Sequence, residues 1–187
     1  MSYFTNASDE NLVIYPTHRI IEKDFSNDEI LNKVSKYYDI EILKDKESLL
    51  EKIEFENKKQ ITTGLILKEN KNFYLLKLKP NIKETVDAPS VLQNLDLTIL
   101  HELILKNELG YTQEQLMAQD KIKFEKQETV AFDSINNSAS ACFIMAYPKM
   151  TDVLNVSKQG YRMPQKSTYF YPKLLSGLII NQINKGE

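Results

Sequence analysis

ITTGLILKENKNFYLLKL, residues 61–78, holds two apolar runs, 61–67 and 73–78, on either side of the turn-rich Glu69, Asn70, Lys71, Asn72. Two short apolar runs flanking such a turn read as a β-hairpin, and Pro80 closes it. This hairpin decides the fold class, because the segments around it otherwise alternate strand with helix. Upstream, 12–15 is an apolar run stopped by Pro16, whose missing amide cannot serve a strand ladder, so a strand is expected to end at the Thr17, His18, Arg19 corner. Ser26 and Glu29 form a capping-box pattern ahead of Ile30, Leu31 and Val34 at helical spacing. Residues 38–43 alternate apolar with polar, as a strand does, and 46–55 return to helical spacing through Leu49, Leu50 and Ile53.

Downstream, a leucine-rich helix is expected over 95–108, with Gly110 where a C-terminal cap belongs. Thr112 with Gln115 is a second capping box and predicts a short helix to Ala118. Then come a strand at 121–124, a helix near 129–135, a strand at 141–147, a helix near 151–158 and an extended tail bounded by prolines. The hairpin breaks strict alternation, so the expected class is α+β: a mixed β-sheet with helices packed on it. No Pro, Gly or Ser-rich linker interrupts the chain, which reads as one domain over residues 1–187.

With 42% hydrophobic residues in a chain of 187, there is enough apolar surface to bury a core. A net charge of -2 gives no general attraction to polyanions, so neither nucleic acid nor an anionic membrane is expected as a partner. Cys142 is the only cysteine, which rules out an intramolecular disulfide and fits a reducing compartment. The start, MSYFTNASDENLVIYP, lacks the basic head and long apolar run of a signal peptide, and no segment reaches the ~18 apolar residues of a membrane span. A cytoplasmic location is the expectation.

The chain carries no Gly-x-Gly-x-x-Gly fingerprint, no Walker-type loop and no Gly-x-Ser-x-Gly turn. His18, His101 and Cys142 are too scattered for a zinc pattern, and no metal site is expected. His101 shares a helical face with Leu97, Ile104 and Leu105 and reads as a buried, hydrogen-bonded histidine, while Cys142 reads as a small core residue. The charge distribution is more informative. Residues 153–187 hold Lys158, Arg162, Lys166, Lys173 and Lys185 against the single acid Glu187. Within them, MPQKSTYFYPK, residues 163–173, joins two lysines to Ser and Thr hydroxyls, a set that supplies point charge and donors to a phosphate. If extended, it sends Ser167, Tyr169, Tyr171 and Lys173 to one face and Lys166, Thr168 and Phe170 to the other. The Pro16 to Arg19 corner is the second candidate, since arginine grips phosphate bidentately.

Three stretches, LVIYPTHRII (12–21), LDLTILHELILKNELG (95–110) and MPQKSTYFYPKLLSGLIIN (163–181), together resemble the uncharacterised family known as domain of unknown function 1015. The resemblance implies no settled activity. Fuller members of the family carry an upstream Asp-Gly-His-His-Arg motif similar to that of ParB-like nucleotide-using proteins, including some free-serine kinases. That motif is absent here, so the resemblance implies a fragment or truncated relative whose missing N-terminal part, or a partner supplying it, would complete the site; self-association to a homo-oligomer is a further expectation. Through the matching motifs it implicates Thr17, His18, Arg19, Lys166, Ser167, Thr168, Tyr169, Tyr171 and Lys173 as ligand-binding residues, and it predicts that 15–19 and 165–173 meet in the fold.

Three functional readings follow. The first is a C-terminal module of a ParB-like protein that binds a phosphorylated small molecule or a nucleotide. The second is a phosphotransfer or phosphate-hydrolysing enzyme in which His18 is the acid or base, with Arg19 and Lys166 stabilising transferred charge. The third is a structural or oligomerisation domain without a ligand. No cofactor is readable from the residues.

Overall fold

The computed structural model describes residues 6, 9, 12–68 and 72–173; turn residues 69–71 and the end of the third motif, 174–181, lie outside the described residues. In chain order, β1 (Val13–Tyr15) leads through Pro16 and Thr17 into β2 (His18–Ile21), followed by α1 (Asn27–Val34), β3 (Tyr38–Leu43) and α2 (Lys46–Glu56). The hairpin forms β4 (Thr62–Leu67) and β5 (Phe73–Leu78), and α3 (Ser90–Gln93) and α4 (Asp96–Ile99) come next. After them lie α5 (Gln113–Ala118), β6 (Ile122–Glu125), α6 (Glu128–Asp133), β7 (Ala141–Met145), α7 (Met150–Lys158) and β8 (Tyr169–Tyr171). Six strands make one sheet in the order β3-β5-β4-β7-β2-β6, while β1 and β8 pair separately.

The α+β class expected from the sequence is the one the chain adopts. Every seam in the sheet is antiparallel. The reason lies in the hairpin: β3 and β4, joined through α2, run parallel to one another, but β5 sits between them and opposes both.

Period-2 alternation sorts the sheet residues onto two covered faces. On β7, Ala141, Phe143 and Met145 join the core built with α1 and the leucine-rich helix, whereas Cys142 and Ile144 join the core built with α2 and α6. The same rule divides β2: Ile21 belongs to the first core and Ile20 to the second. Arg19 and His18 must therefore leave the strand on opposite sides. Burial pushes the Cys142 thiol up to about 12, consistent with an inert core residue. At Gly64 an added Cβ would stand 2.8 Å from Ile53 Cδ1 and 3.0 Å from Ile144 Cβ, so the absent side chain is what lets α2 lie close on the sheet.

The helix starts follow their caps. Ser26 Oγ accepts from Glu29 N at 3.2 Å, and Asp45 Oδ1 accepts from Ser48 N at 2.7 Å. Thr112 and Gln115 form both halves of the expected capping box. Replacing Thr112 by alanine is expected to cost about 1 kcal/mol, the usual worth of such a cap, read as a lower urea midpoint with an unchanged slope. The leucine-rich helix departs from expectation. It is α-helical only over Asp96–Ile99 and continues as a π-helix over Leu100–Glu108, with Leu109 N bonding back to Ile104 O at 2.8 Å. Buried Leu100, Ile104, Leu105 and Leu109 recur at four to five residues, and the wider turn keeps them on one face. Gly110, at φ +67, ends it as expected. Among the described residues, no helix is long and apolar enough to cross a membrane.

Candidate functional site

Pro16 interrupts the chain without ending it, because β1 crosses into a second, two-stranded sheet and β2 continues in the main one. The Thr17, His18, Arg19 corner is consequently interior rather than an exposed strand end: His18 is 2% and Arg19 0% exposed. The guanidinium acts as an internal tie. Nε donates to His101 Nε2 at 3.2 Å, Nη1 to the Thr17 carbonyl and Nη2 to the Lys166 carbonyl at 3.1 Å. Its Cζ lies 4.6 Å from the centre of the Phe124 ring, which also stacks with His101. Burial lowers the Arg19 pKa to about 9, so it stays a cation at neutral pH.

The two distant segments do meet. Val13 pairs with Tyr171 and Tyr15 with Tyr169 across β1 and β8, and Lys166 reaches Arg19 across 147 residues of sequence. Lys166 participates through its carbonyl, however, and its side chain is exposed in a turn with φ +55. Thr17 likewise offers its carbonyl. Tyr169 is flanked by the ammonium groups of Lys126 at 4.3 Å and Lys173 at 4.2 Å, and the Tyr171 ring packs on Tyr15. Thr168 is half-buried. Ser167 differs from these: it is 8% exposed, its Oγ has no hydrogen-bond partner among the described residues, and it lines a cleft.

That cleft, about 390 Å³, is assembled from loops that sequence reading left as connections. Lys58 and Lys59 come from the turn after α2, Lys79 and Lys83 from the segment after β5, and Lys149 from the β7–α7 loop. Asp96 and Asp152 are its carboxylates. Five lysines therefore face two acids. Several lysines are already engaged: Lys59 pairs with Glu56 at 3.5 Å, Lys79 donates to the Ser35 carbonyl, Lys83 to Asn94 Oδ1 and Lys149 to the Asn57 carbonyl. Burial pushes the Asp96 carboxyl up to about 6, against hydrogen bonding from the Leu97 amide and the attraction of Arg19. Asp152 is raised as well, again by burial. No single motif announces these lysines, because they lie in three separate connections and only the sheet brings them together.

On the other side of the Asn57, Lys58, Tyr147, Lys149 wall lies a second chamber of about 390 Å³, largely apolar, with His18 in its lining. His18 Nδ1 accepts from the Met145 amide at 3.1 Å. Burial, reinforced by the Arg19 charge, holds its pKa at about 4, so at neutral pH the ring is neutral and its proton sits on Nε2. Among the described residues no cluster of three His, Cys, Asp or Glu is placed to hold a metal ion.

Solved structures of similar fold include a conserved hypothetical protein from Pyrococcus furiosus, 16% identical with a TM-score of 0.51, matched over 90% of this chain and 60% of that one. A mutant free serine kinase in complex with ADP is 14% identical with a TM-score of 0.50, over 90% and 58% of the two chains. A free serine kinase in complex with AMP is 15% identical, also with a TM-score of 0.50, over 90% and 57%. At such identities the likeness is one of fold, and the chain spans about 60% of the length of the structures it matches. No curated protein matches the chain. A family model matches residues 1–98, which takes in the β1–β2 motif and the hairpin but little of the leucine-rich helix and none of the tail motif. On that match, over more than half its length, the chain belongs to the family described as "Protein of unknown function (DUF1015)".

Proposed function

We propose that this chain binds a phosphorylated small molecule or nucleotide, with its phosphate held in the lysine-lined cleft. The observation that carries the reading is the excess of ammonium groups around a buried, unpartnered hydroxyl. Lys58, Lys149 and their neighbours offer charge, and Ser167 Oγ offers a donor that has no partner among the described residues. Similarity of fold to a free serine kinase in complex with ADP or AMP supports a nucleotide as the class to try first. The tail motif thus contributes through Ser167, while Arg19 contributes by holding the Lys166 turn that presents it.

The two lysines shared with the neighbouring chamber provide the test. Replacing both Lys58 and Lys149 by alanine is expected to weaken AMP or ADP at least tenfold in calorimetric titration, with charge-assisted bonds of about 1.5 to 3 kcal/mol removed. Both lie at the surface, so the melting temperature without ligand should stay within about 2 °C. Absence of binding of phosphate, AMP or ADP to the wild-type chain at millimolar concentration would remove the proposal.

A further inference from the structure

Resting on that reading, we infer that the preferred ligand is a nucleotide rather than a bare phosphate or sugar phosphate, because the apolar chamber beside the cleft is built to take its base. The two spaces share the lining residues Asn57, Lys58, Tyr147 and Lys149 and therefore lie side by side. Their linings are of opposite kinds. The chamber is walled by Leu50, Ile53, Ile144 and Met145, with Glu51, Glu54 and Glu128 as its acids and only the two shared lysines as its cations. The cleft holds five lysines and two acids. A phosphate is repelled by the first and attracted by the second, whereas a heteroaromatic ring gains from the apolar walls and from the ring of Tyr147, which is 55% exposed.

His18 gives the chamber a specific donor. The Met145 amide occupies Nδ1, which fixes the tautomer with hydrogen on Nε2. The residue is 2% exposed and lines the chamber, and among the described residues Nε2 makes no hydrogen bond. An N–H on the chamber lining is a donor from which a ring nitrogen of a nucleobase can accept. The carboxylates of Glu51 and Glu54 can in turn accept from an exocyclic amino group, as adenine carries. An apolar chamber with one fixed donor and acceptors at its edge selects an aminopurine over a hydrocarbon tail.

Calorimetry with phosphate, ribose 5-phosphate and AMP separates this inference from the reading beneath it. AMP is expected to bind at least tenfold more tightly than ribose 5-phosphate, and Tyr147→Ala, at an exposed position, should remove most of that difference. In nitrogen-15 spectra the His18 Nε2 signal should move with AMP and not with ribose 5-phosphate. Equal affinities for the two ligands, both weakened by the Lys58 and Lys149 replacements, would overturn the base site and leave the phosphate site standing. Binding of none of the three would overturn both.

Discussion

Replacing Arg19 by alanine is expected to destabilise the protein by about 3 to 5 kcal/mol, since it strands several buried polar groups at once and empties a large interior volume. The Thr17 carbonyl, the Lys166 carbonyl and His101 Nε2 all lose the donor they share. The Phe124 ring loses the cation stacked on it. Against this stands the cost of keeping a guanidinium at 0% exposure, and among the described residues no carboxylate forms an ion pair with it. Removing the charge therefore returns some desolvation energy. Arg19→Met separates the two terms, because methionine fills much of the same volume without donors. A loss of at least about 2 kcal/mol in the methionine variant by urea unfolding would place the stabilisation in the hydrogen bonds. Methionine as stable as wild type would show that the tie contributes nothing net. The functional consequence follows from Lys166: freed from Arg19, the turn that carries Ser167 to the cleft is no longer anchored to the sheet, so ligand affinity should fall even where the fold survives.

This same residue shows how far sequence reasoning reaches. The period-2 runs, the caps at Ser26 and Thr112 and the hairpin at 61–78 are local signals, and each element they predict is present. The meeting of the first and last motifs was legible through the resemblance, since β1 pairs with β8. The chemistry of that meeting was not. Lysine and arginine in a motif suggest side chains offered to an anion, yet Arg19 spends its donors on carbonyls and Lys166 contributes a carbonyl. Burial, which composition does not encode, decides between those uses. The cleft was still less legible: Lys58, Lys79, Lys83 and Lys149 are ordinary loop lysines until the strand order β3-β5-β4-β7 brings their loops together at one place. The π-helix was unreadable for another reason, because over nine residues a leucine pattern at four to five fits an α-helix nearly as well.

Acidification from pH 7 to pH 5 is expected to cost the fold about 2 kcal/mol, although the buried carboxyl works in the opposite sense. In the folded chain burial holds His18 at about 4 and His101 at about 3, against an ordinary value of 6.5. Below pH 6.5 the unfolded chain therefore takes up protons that the folded one refuses, and stability falls as pH falls toward the folded values. At pH 5 each histidine accounts for a loss of about 2 kcal/mol, from the gap between 6.5 and the ambient pH. Asp96, raised by burial to about 6 from 3.8, is the reverse case: the folded state binds its proton first, and between pH 6 and 3.8 acid adds stability. At pH 5 that return is about 1 kcal/mol, and Asp152 moves in the same direction, so the two histidines prevail. Urea midpoints at pH 7, 6 and 5 read the slope directly. His101→Gln, whose side-chain oxygen can still accept from Arg19 Nε, removes one titrating ring and should lessen the acid loss by close to 2 kcal/mol at pH 5. A stability that is flat or rising from pH 7 to pH 5 would mean that His101 and His18 reach solvent and protonate in the folded state. The Arg19–His101 bond would then have to break at every acid titration, since a protonated imidazole has no lone pair to accept from the guanidinium.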